Sequence, residues 1–169
     1  ITNVDVRKGT DGLIMAFIIN APPVSVFEES TFPIGVELKN KGASDIENGL
    51  LVFGFEKAYV DATGGSEKCI VGVCKIEIKG KSVFNPNGDE ELIKINAQAK
   101  TIGPQSETHP STILATACYP YETILGSSVC VDPDIYGERK IQKACNAQDL
   151  TFGEGQGAPV VITKIETTM

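Results

Sequence analysis

A strict alternation of apolar and polar residues in the segment 31–39 most constrains what this chain can fold into. The apolar positions of that segment are Phe32, Ile34, Val36 and Leu38. A period of two is typical of a half-buried β-strand. Asn40-Lys41-Gly42 then interrupts the pattern with residue types that tolerate positive φ angles, and a second apolar run covers residues 50–55. The whole stretch 31–55 predicts two antiparallel strands of an all-β domain.

Short strand patterns recur along the rest of the chain. A second clean alternation covers residues 93–99, and further strand-like runs lie at residues 13–19, 75–79, 112–125 and 160–167. Nowhere do ten residues keep a helical period with caps, so nine or ten short strands separated by turns predict an antiparallel β-sandwich with long loops. We expect the sandwich to cover residues 1–152, with an extra hairpin inserted near 69–79. Residues 153–169 then form a glycine-rich link and a terminal strand.

Two segments resemble those of a known class of proteins. The first is VELKNKGASDIENGLLVFGF. The second begins with ACYPYETILGSSVCVDPD and continues to GEGQGAPVVITKIE. The first is similar to immunoglobulin-like modules of archaeal cell-surface proteins, which are often compared with CARDB-type adhesion domains. The resemblance implies an immunoglobulin-like sandwich with a structural or adhesive role and names no ligand. The chain lacks tryptophan, has no cysteine in residues 32–38, and places Tyr119 after Cys118, so the core disulfide, core tryptophan and tyrosine corner of antibody domains are not supported.

Charge and hydropathy exclude several classes of partner. The formal net charge is −7, and Lys and Arg are scattered among Asp and Glu. Nucleic acids and anionic lipid surfaces both favour a basic patch, so neither is expected as a partner. No apolar run approaches the roughly 18 residues that a membrane-spanning helix requires, and we expect no direct membrane insertion.

The five cysteines predict disulfides more readily than a metal site. Cys69 and Cys74 enclose four residues with Gly72 among them, a spacing that suits a short hairpin. Cys118 and Cys130 flank another predicted hairpin, while Cys145 either competes with one of these or remains the odd thiol. Zinc sites use closer ligand pairs such as C-x-x-C. Disulfides would place the chain outside a reducing cytoplasm, and we expect an extracellular location at the cell surface.

The sequence carries no motif of a catalytic site or of a cofactor site. His109 is the single histidine and lies in a polar loop, so a cysteine or serine nucleophile would lack a general base elsewhere in the chain. The glycine run at residues 153–157 leads into a predicted strand, whereas phosphate binding requires the N-terminus of a helix after the glycines. We therefore expect a protein that is not an enzyme and binds no cofactor.

Two oxygen-rich loops invite comparison with calcium sites. Residues 85–89 and 132–138 place amide and carboxylate oxygens at alternate positions, and Ca²⁺ accepts six to eight such ligands. Tyr136 occupies a ligand position of the second loop, and Lys143 stands where a bidentate glutamate would close it. Asx-turns explain both loops as well. We expect no strong metal site and name Asp132, Asp134 and Glu138 as candidates for a low-affinity calcium site.

These absences favour a structural role. We expect an extracellular structural or assembly module of a cell-surface protein or filament, which associates with copies of itself or with neighbouring modules. The predicted assembly strand, donated head-to-tail to the next subunit, consists of Val160, Val161, Ile162, Thr163, Lys164 and Ile165; the alternatives are that it opens the next module of a longer chain or pairs within its own sandwich. A second hypothesis is an adhesin-type domain that binds glycans or proteins, with Tyr119 and Tyr121 as the first stacking candidates.

Overall fold

Ten β-strands and no helix occur in the part of the chain that the computed structural model describes, residues 5–104, 106–132, 134, 136, 138 and 142–167. The strands are β1 (Leu13–Phe17), β2 (Thr31–Asn40), β3 (Ile46–Phe55), β4 (Val60–Gly65), β5 (Cys69–Ile70), β6 (Val73–Ile78), β7 (Glu90–Ala99), β8 (Ile113–Cys118), β9 (Leu150–Thr151) and β10 (Lys164–Ile165). The prediction of an all-β fold is confirmed.

Two four-stranded antiparallel sheets form a β-sandwich. The first has the order β1-β2-β7-β4, the second has the order β5-β6-β3-β8, and β9 and β10 pair as a separate two-stranded ribbon. Contacts of β4 with β5 and of β6 with β7 align the two sheets face to face. With β4 over β5 and β7 over β6, the next strands in each sheet, β2 and β3, face each other. The outermost strands β1 and β8 then lie on the same side of the sandwich.

The core lies between the central strands, and the alternation in the sequence decides which residues enter it. On β2 the side chains of Phe32, Ile34, Val36 and Leu38 are buried, and β7 contributes Ile93, Ile95 and Ala97. The strand register places Ile34 opposite Ile95, as expected for two half-buried strands that share one face. The second sheet covers them with Leu51, Phe53, Cys74, Ile76 and Ile78. Burial of each large aliphatic side chain contributes about 1.5–3 kcal/mol, which explains why these strands form the centre.

The two strands of residues 31–55 do not pair with each other. β2 pairs with β1 and β7, whereas β3 pairs with β6 and β8. The break at Asn40 is therefore a corner between sheets rather than a hairpin turn. Asn40 is fully buried there, and its amide donates to the carbonyl oxygens of Ser44 and Ile78 while its Oδ1 accepts from the Gly42 N–H.

The hairpin predicted near residues 69–79 is present as β5 and β6, with Val71 and Gly72 at positive φ in its turn. Two long strand predictions are wrong in extent. The strand predicted over 112–125 ends at Cys118, and the run 160–167 contributes only Lys164–Ile165 to a ladder. In the first case Pro120 follows two residues later, and proline cannot donate to a ladder. The β9–β10 ribbon joins residues on both sides of the predicted boundary at residue 152.

Candidate assembly site at the open side of the sandwich

The two lateral sides of the sandwich differ in how their edge strands are protected. At the β4–β5 side, the register of β4 shifts between Ala62 and Gly64, and Asp61 forms an ion pair of 2.6 Å with Lys100. β5 is only two residues long and is tied to β6 by the Cys69–Cys74 disulfide. Bulges, charges and very short strands all discourage an edge from pairing with another chain. This side is therefore closed to further strands.

The β1–β8 side shows none of these protective devices. Among the described strands, β1 pairs only with β2 and β8 pairs only with β3, both in uninterrupted register. The sequences of the two strands, LIMAF and ILATAC, contain no charged residue and no proline. Each strand therefore presents one free row of main-chain donors and acceptors, which can hydrogen-bond to an added strand.

An apolar groove lies between these two edges. Met15 and Phe17 of β1 stand opposite Leu38 and Val36, so they point toward the core side of the sheet. They are nevertheless 37% and 43% exposed, while Leu38 and Val36 are 0% exposed. The core-facing side chains of the first sheet are thus buried on β2 and partly exposed to solvent on β1.

The other wall of the groove is lined by small side chains. Ala115 and Ala117 of β8 pair with Phe53 and Leu51, which are core residues, and together with Ile113 they are only partly buried. Alanine fills little of the space that the large residues of the central strands fill. We call the space bounded by Met15, Phe17, Ile113, Ala115 and Ala117 the open groove.

One end of the open groove is closed by the terminal segment. A Cβ placed on Gly12, which precedes β1, would lie 3.0 Å from Pro159 Cδ and 3.6 Å from the hydroxyl oxygen of Tyr119. Tyr119 directly follows β8, so the ends of both edge strands meet here. Ala158 is fully buried, and Tyr121 Oη lies 3.4 Å from the Gly157 carbonyl oxygen. The segment that leads to the predicted assembly strand therefore starts beside the open groove.

Beyond Pro159 the terminal segment is held by two side chains and a short ladder. The Gln156 side-chain amide makes two hydrogen bonds to the backbone of Ile162. Its Oε1 accepts from the Ile162 N–H at 2.8 Å, and its Nε2 donates to the Ile162 carbonyl oxygen at 3.2 Å. The Thr123 hydroxyl donates to the Val160 carbonyl, and the ladder of β9 with β10 holds Lys164 and Ile165. Among the six predicted assembly residues, Lys164 and Ile165 pair with a strand in the described part of the chain, and the Thr163 carbonyl oxygen accepts from the Phe152 N–H at 2.9 Å. Nothing in the sequence marked Gln156 as a buried residue.

The cysteines are paired differently from one of the predictions. Cys69 and Cys74 form the predicted disulfide, with an S–S distance of 2.06 Å. The prediction that Cys118 forms a disulfide is wrong, because Cys118 is a free, exposed thiol; of the pairings left open for Cys130 and Cys145, the two are bonded to each other. The reason is that β8 ends at Cys118 and residues 119–131 form no strand that returns to it as a hairpin. Two disulfides fit an oxidising environment.

The three calcium candidates at residues 132, 134 and 138 make hydrogen bonds within the protein. Asp132 accepts from the Lys143 ammonium group and from the Asp134 N–H, and Asp134 Oδ1 accepts from the Glu138 N–H. The hydrogen bond from Lys143 lowers the pKa of Asp132. Lys143 stands at the position where a calcium loop would carry glutamate. The positive charge beside Asp132 is therefore the Lys143 ammonium group. In the described residues no group of three or more His, Cys, Asp or Glu side chains is arranged to hold a metal ion.

The tyrosines singled out in the sequence serve packing. Tyr119 and Tyr121 meet edge to face with ring centroids 5.8 Å apart, and both pack against the core. Burial raises the pKa of Tyr121, whose hydroxyl also accepts from the Ser44 N–H. His109 stacks on Tyr59 at a centroid distance of 3.7 Å, and its Nε2 lies 3.5 Å from a carboxylate oxygen of Glu56. These rings do not form a flat exposed platform for a sugar.

Two comparisons with known proteins found no match. No protein-family model matches the sequence, and no curated protein is significantly similar to it. Within the described ranges, the structure has no helix that is long and apolar enough to cross a membrane.

Proposed function

We propose that this chain is a non-catalytic structural module of a cell-surface protein or filament. It works outside the reducing cytoplasm and assembles with copies of itself or with neighbouring modules. The observation that carries the proposal is the contrast between the two sides of the sandwich: the β4–β5 side is protected by a bulge, an ion pair and a disulfide, and the β1–β8 side is uncharged and unpaired.

The chemistry of the open side supports association through strand addition. Unpaired N–H and C=O groups recruit another strand by main-chain hydrogen bonds, and pockets for alternate side chains add specificity. The half-exposed Met15 and Phe17 supply apolar area that an added strand would remove from water, at about 25 cal/mol per Å² of buried surface. Glycan binding was the second hypothesis, and no contact of Tyr119 or Tyr121 favours it.

The proposal is tested on the full chain carrying Cys118→Ser, so that no intermolecular disulfide through the free thiol contributes. We expect oligomers or filaments that grow with concentration, measured by light scattering after gel filtration and by electron microscopy. In hydrogen exchange, assembly should increase protection at Leu13–Phe17 and Ile113–Cys118 and leave the closed-side strand Val60–Gly65 unchanged. A chain that stays monomeric at every accessible concentration would contradict the proposal.

A further inference from the structure

The proposed function leaves the occupant of the open groove unnamed. Resting on that function, we infer that the occupant is the segment Val160–Ile165 of a second copy of this chain. The segment adds next to β8 as a fifth strand of the second sheet and covers Met15 and Phe17 across the groove. Three independent observations carry this assignment.

The first observation is a conflict between local sequence and structure in the terminal segment. Residues 160–163 are four consecutive β-branched residues, Val-Val-Ile-Thr, the residue types that favour strands most. Within the described part of the chain they belong to no strand. Natural sequences normally agree with their fold at each level, so a strand-forming run without a ladder indicates a partner strand elsewhere.

The second observation is how lightly the segment is held. The side chains of Gln156 and Thr123 bond to its backbone, the Phe152 N–H donates to the Thr163 carbonyl oxygen, and the β9–β10 ladder adds two residue pairs. The ion pairs of Lys164 with Asp149 and Glu166 are exposed, and such pairs contribute little. Gly155 and Gly157, with φ angles of 70° and 68°, precede the segment. Release therefore breaks few contacts, while Ala158 and Pro159 can stay in place.

The third observation is a match of length and pattern. Val160–Ile165 contains six residues and β8 contains six, which corresponds to about 20 Å of extended chain for each. A strand presents alternate residues to one face. If Lys164 points to solvent, Val161, Thr163 and Ile165 point into the open groove, where Ala115 and Ala117 leave room. The opposite phase would bury the Lys164 ammonium group among apolar side chains, which is costly, so the residues that face the groove are fixed.

Donor and acceptor are different surfaces of the chain, so the contact is head-to-tail. A contact of this kind produces a ring when the rotation between copies closes and a filament when it does not. Within one chain, Lys164 and Ile165 pair with β9, and the ladder of β9 with β10 is separate from the sheets that contain β1 and β8.

A matched pair of variants of the full chain tests the acceptor. Ala115→Glu places a carboxylate in the open groove, whereas Thr116→Glu places the same group on the outer face of β8. We expect Ala115→Glu to weaken self-association by about tenfold or more, because an inserted strand would bury the charge, and Thr116→Glu to associate within about twofold of the parent. Thermal melting of both variants confirms the fold. Equal association of the two variants would overturn the inference.

A peptide experiment tests the donor and does not depend on either substitution. The chain ending at Pro159 keeps every residue of the buried core cluster, and circular dichroism checks that it is folded. We expect it to be monomeric and to bind a labelled peptide of residues 158–167, but not the same peptide carrying Val161→Lys and Ile165→Lys. A folded truncated chain that ignores the first peptide, or binds both peptides equally, would overturn the inference.

The two proposals fail in different ways. Assembly of the full chain that persists with Ala115→Glu overturns the named acceptor and leaves the proposed function standing. If the full chain is monomeric and residues 160–165 are more protected from hydrogen exchange than an unpaired segment would be, the segment is inserted into the groove of its own chain. That result would overturn both proposals.

Discussion

Asn40 lies at the corner where the chain passes from β2 in the first sheet to β3 in the second sheet. Its buried amide makes hydrogen bonds to the backbone of Ser44, Ile78 and Gly42, so one side chain fixes the corner after β2 and ties it to the end of β6. The corner is crowded: a Cβ on Gly42 would lie 1.6 Å from Tyr121 Oη. A buried polar group is stabilising only while its partners are present, which makes this position sensitive to change.

We expect Asn40→Ala to lower the free energy of unfolding by about 2–3 kcal/mol, because it leaves buried backbone groups without partners. Asn96→Ala is the matched control. Asn96 is exposed on β7, and such substitutions change stability by about 0.5 kcal/mol or less. Urea denaturation of both variants measures the difference. Equal stability of the two would mean that Asn40 does not hold the corner.

A second residue at the same corner makes stability depend on pH. Asp45 accepts hydrogen bonds from the Lys79 ammonium group at 2.9 Å and from the Gly80 N–H at 2.8 Å, and these lower its pKa from the ordinary value of 3.8. A carboxyl group whose pKa is lower in the folded state contributes stability above its unfolded pKa. That contribution is lost as the pH falls through the folded pKa.

We therefore expect the parent chain to be more stable than Asp45→Asn at neutral pH, and the difference to vanish progressively below about pH 4. Asparagine keeps an acceptor for the Gly80 N–H and removes the charge that Lys79 binds. Asp11→Asn is the control, since no ion pair of Asp11 occurs in the described part of the chain. Denaturation curves from pH 7 to about pH 2 measure the effect, and a difference independent of pH would exclude the Lys79 interaction as its cause.

At the scale of elements, the sequence predicts strands well where one face is buried. β2 and β7 alternate cleanly because every second residue enters the core, and the Cys69–Cys74 hairpin is local enough to follow from spacing. Pairing is different, since it depends on contacts between distant segments. Nothing near Asn40 reveals that β3 joins the other sheet, and the partner of Cys130 depends on where the chain travels after Cys118.

The hairpin of β5 and β6 yields a prediction at this scale. Replacing both Cys69 and Cys74 with alanine should cost about 2–4 kcal/mol, of which the loop-closure model supplies about 2 and the packing of the fully buried Cys74 side chain the remainder. Cys118→Ser, which changes an exposed thiol, should leave stability almost unchanged. Denaturation without reductant compares the variants. If the double variant matched Cys118→Ser, the disulfide would not stabilise the closed side.

At the scale of the molecule, the two edge strands of the open side carry none of the charges of the chain. The eleven residues of β1 and β8 carry no charge, although the whole chain has a formal net charge of −7. Two copies therefore repel each other at long range while the proposed contact itself is apolar and formed by main-chain hydrogen bonds. Long-range repulsion and short-range attraction respond differently to salt, so ionic strength separates them.

We expect salt to strengthen self-association. Raising the ionic strength from about 0.01 M to about 1 M shortens the screening length from about 30 Å to about 3 Å, which removes most of the repulsion between copies. Burial of Met15 and Phe17 against an added strand does not weaken under the same change. Sedimentation of the Cys118→Ser chain at several NaCl concentrations measures the association constant, with the chain ending at Pro159 as the control that should stay monomeric throughout. Association that weakens as salt rises would indicate ion pairs between copies, such as contacts of Lys39 or Lys75 with acidic side chains, and would exclude the uncharged edges of β1 and β8 as the main interface.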